Sequence, residues 1–392
     1  MRVCIVYDCL YPYTIGGAER WYRNIADLLA SKGHEVTFIT RRQWEKGVEP
    51  EIPGVRVVAV SPRMSLYARR GRRRILPPLV FGLGVLRHLV RYGASYDVVH
   101  TASFPYLSLL AAGAARVLQG FRLLVDWHEV WSREYWREYL GPVGGGIGWW
   151  VQQACLRVQQ QAFCFSRLHE RRLREHGLRG ELTRLEGQYA GPAGAQRAGA
   201  ARPVVVFAGR HIPEKRVTAL VPAIARAREQ IPDLRGELYG DGPERELVLR
   251  AIAESGLDGA VVAPGFVEAE RLERAMGSGL CLVLPSSREG YGLVVVEAAA
   301  RGVPVVVVEG PDNAATELVE DGVNGAVARS AAPDELAEAI VRVHRAGPDL
   351  RQSTLEWFRR NAERLSLERS LEVIASEYSA AEQPHVPSSA RS

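Results

Sequence analysis

Short apolar runs alternate with segments of helical periodicity along almost the whole chain. Residues 2–8 read as a buried strand, Gly16-Gly17 as part of a loop, and Ala18 to Ser31 as an amphipathic helix with Trp21, Tyr22, Ile25, Leu28 and Leu29 on its core face. Lys32-Gly33 stops that helix and Glu35 to Thr40 resumes as a strand, which completes a βαβ unit of the kind that builds parallel sheets. Strand-like runs follow near Val55 to Val60, at Asp97 to His100, at Leu123 to Glu129 and at 162–166, and Arg167 to Arg184 has a polar, helical pattern. The plan then restarts. Pro203 to Phe207, Arg235 to Tyr239, Val261-Val262, Leu280 to Pro285, Pro304 to Val308 and Gly325 to Ala328 read as strands separated by helical segments. Helical patterns at Asp334 to His344, Leu355 to Leu365 and Leu367 to Ala380 close the chain.

This pattern predicts an α/β protein with two doubly wound parallel-sheet domains. The 392 residues exceed what one core usually supports. The expected division is a first domain over 1–187, a linker over 188–202, a second domain over 203–355, further helices over 356–380 and a disordered tail over 381–392. The linker rests on Tyr189 to Ala201, rich in Gly and Ala and without apolar periodicity. In such sheets ligands bind at the loops after the strand C-termini, so Gly16 and Gly17 in the first such loop face the expected cleft.

One stretch concentrates the chemistry. Leu284 to Pro304 reads as strand, loop, helix and strand, and holds two carboxylates, Glu289 in the loop and Glu297 in a helix of Val and Ala. A carboxylate on so apolar a helix is costly to bury without a partner. A vicinal diol such as a ribose satisfies it, and so does a buried arginine; the residues alone leave both open. Gly290 and Gly292 allow close approach of the backbone to a ligand, and the helix start beyond them offers N–H groups to an anion.

Other candidates follow from position and charge. Arg210 and Lys215 lie on one loop and suit a diphosphate. No Asp-x-Asp pair occurs, so no metal site is expected. His128 and Glu129 stand where a strand gives way to a loop, as does His100 with less claim to a role, and the segment from Trp127 to Trp150 is dense in aromatics. The net charge of +5 is mild, and its lysines are only Lys32, Lys46 and Lys215. The basic, apolar-interleaved stretch 63–91 fits either a solvated helix face or an anionic surface such as a membrane. Nothing around it forms a nucleic-acid module, and no nucleic acid is expected. Five cysteines at no zinc-like spacing, no signal-peptide pattern and no apolar run of spanning length give a cytoplasmic expectation, with peripheral attachment to the inner membrane face as its variant.

Taken together, Glu289-Gly290-Tyr291-Gly292-Leu293, Glu297-Ala298, Gly302 to Val306, Gly209-Arg210 with Lys215, and Asn313 followed by Glu317 to Gly325 resemble the retaining GT-B glycosyltransferases of family 4, whose Glu-x7-Glu motif the two glutamates match. The likeness is specific over 203–345 and looser over 1–187. It implies a GT-B fold, two Rossmann-like domains facing across a cleft, the acceptor side over 1–187 and the nucleotide-sugar-binding side over 203–355, with the helices over 356–380 crossing back to the first domain. It also implies transfer of a hexose-type sugar from a nucleotide diphosphate sugar to a glycan, lipid-linked or small-molecule acceptor. UDP is the favoured nucleotide, GDP the other, and no cofactor is implied. By the same resemblance Glu297 holds the ribose, Glu289 the sugar hydroxyls, and Arg210 and Lys215 the diphosphate. Gly16 and Gly17 lie beside the diphosphate and reacting sugar, the Gly290 to Leu293 backbone meets the sugar and distal phosphate, Phe266 and Val267 the base, and His128 the donor sugar. Glu289, His128, Arg210 and Lys215 are the expected catalytic set, with the departing phosphate taking the acceptor proton. The family's usual Lys-Gly is Lys215-Arg216 here, which questions the local turn. The competing readings are a nucleotide-sugar epimerase or hydrolase on the same fold and a basic membrane-surface module.

Overall fold

The computed structural model describes residues 1–45, 47–65, 74–192 and 201–379. The first domain is built on a seven-stranded parallel sheet with strand order β3-β2-β1-β4-β5-β6-β7. Its strands are β1 (Arg2–Val6), β2 (Glu35–Arg41), β3 (Val55–Ser61), β4 (Val98–Ala102), β5 (Arg122–Trp127), β6 (Gln160–Cys164) and β7 (Gly180–Arg184). The connecting helices are α1 (Gly17–Ser31), α2 (Leu76–Tyr92), α3 (Tyr106–Gln119), α4 (Arg133–Leu156) and α5 (Arg167–Glu175). Alternate strand residues feed two cores: Val3, Ile5 and Phe38 pack with α1, while Cys4, Val6, Val99 and Leu123 pack under α2, α3 and α4.

The second domain has a six-stranded parallel sheet of order β10-β9-β8-β11-β13-β15. It comprises β8 (Val204–Ala208), β9 (Arg235–Tyr239), β10 (Val261–Gly265), β11 (Cys281–Leu284), β13 (Val305–Val308) and β15 (Gly325–Ala328), with a two-residue pair β12 (Arg288–Glu289) and β14 (Asp312–Asn313) beside it. Its helices are α6 (Leu220–Ala227), α7 (Arg245–Glu254), α8 (Ala269–Ser278), α9 (Leu293–Ala299) and α10 (Pro333–Leu365), the last kinked where Gly347 takes φ 57° and ψ −140°. The final helix, α11 (Leu367–Ser379), lies against the first domain: the Tyr378 hydroxyl and His100 Nδ1 are 2.7 Å apart, and Arg122 Nη1 donates to the Glu377 carbonyl.

The structure corrects several sequence expectations. Arg167 to Arg184 is not all helix; its last five residues form the edge strand β7, hydrogen-bonded only to β6. Gly-Glu-Leu-Thr-Arg lacks an apolar face because both faces of that edge are partly exposed, so period-2 alternation has nothing to report. The helix entered through Pro213 starts only at Leu220, after two single 3-10 turns, Pro213–Lys215 and Val217–Ala219. Between them Arg216 adopts the left-handed conformation, φ 49° and ψ 38°, where the resembling family has glycine. It is the only described non-glycine residue with positive φ. The middle of the expected linker 188–202, part of the basic stretch 63–91, and the tail 381–392 lie outside the described residues.

Candidate functional site between the two sheets

Both sheets direct their strand C-termini at the seam between the domains. On the second-domain side, the loop after β11 carries Glu289, which is almost fully buried and accepts 2.7 Å from the Ser286 hydroxyl while forming an ion pair with Lys215. Two residues expected to serve donor sugar and diphosphate are therefore each other's partner. Glu297 stands one helix further on. It lines a cavity of about 260 Å³ together with Gly17, Arg20, Leu293, Glu273 and Arg301, and with residues 188–192 of the interdomain connection. Burial pushes its carboxyl above the ordinary glutamate value, against the pull of Arg301 and Arg20. Arg301 donates to the Glu297 carbonyl and pairs with Glu273 at 3.2 Å. Among the described residues the Glu297 carboxylate itself has no hydrogen bond or salt bridge. Arginine thus acts on this carboxylate through space, from Arg301 and Arg20, and not by direct contact among the described residues, and Glu297 shares its cavity with Gly17 of the first domain.

The remaining candidates are placed as follows. Gly16 and Gly17 open α1, with Gly16 extended (φ −172°) and an added Cβ on it meeting the Glu19 carboxylate. Gly17 has free space where a Cβ would stand. Gly290 has none: a Cβ there would strike the His128 carbonyl oxygen, so this glycine serves the approach of the two domains. Gly292 takes φ 98° at the start of α9 against Ala315. Tyr291 is buried and donates its hydroxyl to the Glu186 carbonyl at 2.7 Å, which leaves its backbone rather than its side chain for a ligand. Arg210 is exposed on the loop after β8. Phe266 is 76% exposed and Val267 half-buried just beyond Gly265, itself at φ 88°.

His128 is half-buried, stacked on Phe165 at 4.8 Å with the rings parallel, and its Nε2 is buried without a hydrogen-bond partner. Burial pulls its pKa below the usual histidine value, Asp126 and Glu129 opposing. The ring is neutral near pH 7. His100 is fully buried inside the sheet, 3.1 Å from Asp126 Oδ1 and bonded to Tyr378, so the structure takes it out of the cleft and into the joint between α11 and the first domain.

Several seam residues escaped sequence reasoning. Arg288, adjacent to Glu289, lies with its guanidinium 4.4 Å from the Trp131 ring centroid and 4.6 Å from that of Tyr135, pairs with Glu129, and is 3.6 Å from Glu214. The Tyr135 hydroxyl donates to Glu214 at 3.1 Å. Arg172 pairs with Asp312 at 2.6 Å, and Glu317 accepts from the backbone N–H groups of Arg167 and Leu168, capping α5 from the other domain. Trp131 and Tyr135 of the aromatic segment after Trp127 are therefore spent on this seam. Arg20 was missed too, though its place in the first turn after Gly16-Gly17 was a usable signal.

Comparison with known proteins bears on this arrangement. Residues 15–185 match the sequence profile of Glycosyltransferase Family 4, and residues 202–346 that of Glycosyl transferases group 1. The chain is 32% identical over 155 residues to alpha-D-kanosaminyltransferase of Streptomyces kanamyceticus, covering 40% of this chain and 39% of that one. It is 33% identical over 152 residues to a GDP-mannose-dependent alpha-(1-6)-phosphatidylinositol monomannoside mannosyltransferase of Mycolicibacterium smegmatis, covering 36% and 38%. These matches span about two fifths of the relatives' own length. A weaker likeness, 26% over 339 residues, takes in 84% of this chain and 85% of the lipopolysaccharide core biosynthesis glycosyltransferase LpsE of Rhizobium meliloti. Among solved structures, sucrose-phosphate synthase from Thermosynechococcus elongatus superposes with a TM-score of 0.76 at 21% identity over 97% of this chain and 98% of that one. Anabaena HepE in complex with UDP-glucose gives 0.71 at 19% identity over 97% and 100%; both likenesses concern the fold. With two domain profiles matched in order, a Glu-x7-Glu pair at the seam and two parallel sheets facing across it, the chain belongs to the GT-B glycosyltransferases of family 4, the group-1 glycosyl transferases.

Proposed function

We propose that this chain transfers a sugar from a nucleoside diphosphate sugar to an acceptor hydroxyl, with retention of anomeric configuration and without a metal ion. The observation that carries the reading is the Glu297 carboxylate, driven toward protonation by burial and opening into a cavity walled by Gly17 of the first domain. Two ribose hydroxyls supply the donors it lacks, and hydrogen bonds to a charged group contribute about 1.5–3 kcal/mol each.

The Lys215–Glu289 ion pair supports a second step of this reading. An arriving diphosphate takes Lys215 as its counter-ion and releases Glu289 to accept from sugar hydroxyls, so neither charge is left buried alone. Lys215 and Arg210 then stabilise the negative charge that grows on the leaving phosphate as the glycosidic bond breaks. The acceptor proton passes to a departing phosphate oxygen on the same face of the sugar. His128, neutral and stacked on Phe165, orients the donor sugar and takes no part in the proton transfer.

UDP is the favoured nucleotide. HepE has this fold and has been solved with UDP and with UDP-glucose, while the mycobacterial relative is named for GDP-mannose. Incubation with labelled UDP-glucose, UDP-N-acetylglucosamine and GDP-mannose is the test. The expected result is binding and slow hydrolysis of one of them; no binding of any contradicts the proposal, and conversion of a donor to its 2-epimer without acceptor replaces it with epimerisation.

A further inference from the structure

The helix layer on the outer side of the first domain differs from an ordinary surface. Helix α2 is apolar on two opposite sides. Phe81, Val85 and Leu89 are fully buried against the sheet, whereas Leu76, Leu79, Leu83 and Val90, spaced three, four and seven apart, form an outward stripe on which Leu83 is 68% exposed. Its neighbour α3 exposes Val117 (85%) and Leu118, and α4 beyond it exposes Val143, Ile147 and Trp150 (65%), spaced four and three apart. The three helices share one core on one face of the sheet, so their outward sides look the same way. A helix that is apolar all round belongs under cover, and an extended exposed apolar patch marks an interaction surface.

Charge identifies the cover. Between Glu51 and Asp97 the sequence has nine arginines and no carboxylate. Of the described ones, Arg63, Arg74, Arg87 and Arg91 are exposed, the last two on α2 itself. We propose that this face docks on an anionic lipid bilayer, with the apolar stripes of α2 and α4 in the headgroup boundary and the arginines on the lipid phosphates. A second copy of the chain fits poorly, because a two-fold contact would oppose two equally positive faces. Nucleic acid would leave the leucines uncovered. No helix of the described residues is long and apolar enough to cross the membrane, so the contact is interfacial. This inference does not rest on the sugar-transfer reading, and its test needs no donor or acceptor.

The test is co-sedimentation of the full chain with vesicles of phosphatidylcholine alone and of phosphatidylcholine mixed with phosphatidylglycerol. The protein should pellet with the mixed vesicles at low ionic strength and release at high salt. Leu79→Glu with Leu83→Glu should cut the bound fraction roughly tenfold or more at unchanged melting temperature, since both positions are exposed. Brominated lipid should quench tryptophan fluorescence in the wild type and less in Trp150→Ala. No pelleting, pelleting unaffected by the leucine changes, or light scattering that shows a dimer dissociated by them, overturns the proposal.

Discussion

The two rims of the cleft are made from the same sheet plan and use different chemistry. The second-domain rim presents charge: the Glu289–Lys215 pair, and Glu297 held half-buried without a partner among the described residues. The first-domain rim presents aromatic rings, a neutral histidine and backbone beside Arg20 and Arg172, and its carboxylate Glu129 is bound to Arg288 from the opposite side. Burial alone would push the Glu129 carboxyl up, but Arg288 and the Trp131 indole N–H outweigh it and hold it below the usual glutamate range. On the proposed reading the second rim grips the donor, while the Glu129–Arg288 pair across the seam holds the domains together. Removing Lys215 or Glu297 should cost function; disturbing that pair should cost closure and stability.

The largest expected effect is on function. Lys215→Ala should lower turnover by about 10²–10³-fold, the scale of losing one preorganised group that stabilises leaving-group charge, measured as kcat with saturating donor. A change confined to KM would place Lys215 on the ground-state donor only. Next, Arg288→Ala leaves Glu129 and Glu214 facing aromatic rings without their cation, and should destabilise the protein by about 2–4 kcal/mol in urea unfolding. If stability is unchanged and only transfer falls, Arg288 belongs to the gripping rim and the contrast breaks.

Acid sharpens the comparison further. Burial pulls the His169 ring down to about 3, with Glu129 opposing, and also lowers His128. Both folded values lie below that of an unfolded histidine, about 6.5. The unfolded chain therefore takes up protons first as pH falls below that value, and the stability these rings contribute above it is lost progressively toward the folded values. Each ring steepens the loss by at most about 1.4 kcal/mol per pH unit. Glutamine at position 169 should flatten the profile between pH 6.5 and 4 in that proportion; an unchanged profile contradicts the burial argument. The smallest effect is local to the second rim: Arg216→Gly, relieving a left-handed residue, should stabilise by about 1 kcal/mol in thermal unfolding.

Much of this was legible in the sequence, for reasons visible in particular elements. Buried parallel strands are apolar on both faces, so Val204 to Ala208 and Val305 to Val308 announce themselves as runs, and the glycine-punctuated loops after them mark the cleft. Glu297 was conspicuous because a carboxylate among Val and Ala needs a reason. What was hidden depends on partners distant in sequence. Gly290 looks like any loop glycine until the His128 carbonyl is seen against it, and Arg288 is one arginine of many until Glu129, 159 positions away, closes on it. Edge strand β7 was hidden for the opposite reason: exposed on both faces, it leaves no hydrophobic period to read. The departure at Arg216 was visible as a question and became a backbone fact, since the turn keeps the glycine conformation with an arginine in it.

The central claim is that the unpartnered Glu297 carboxylate is kept for the donor's ribose. Calorimetric titration of the wild type and Glu297→Gln with the nucleotide sugar the protein accepts, alongside their melting temperatures without ligand, tests it most directly. The raised carboxyl pKa of Glu297 means its ionisation costs folded-state stability above the ordinary glutamate value, so Glu297→Gln should melt higher by itself and bind the donor at least tenfold more weakly. Equal donor affinity in the two proteins would contradict the account.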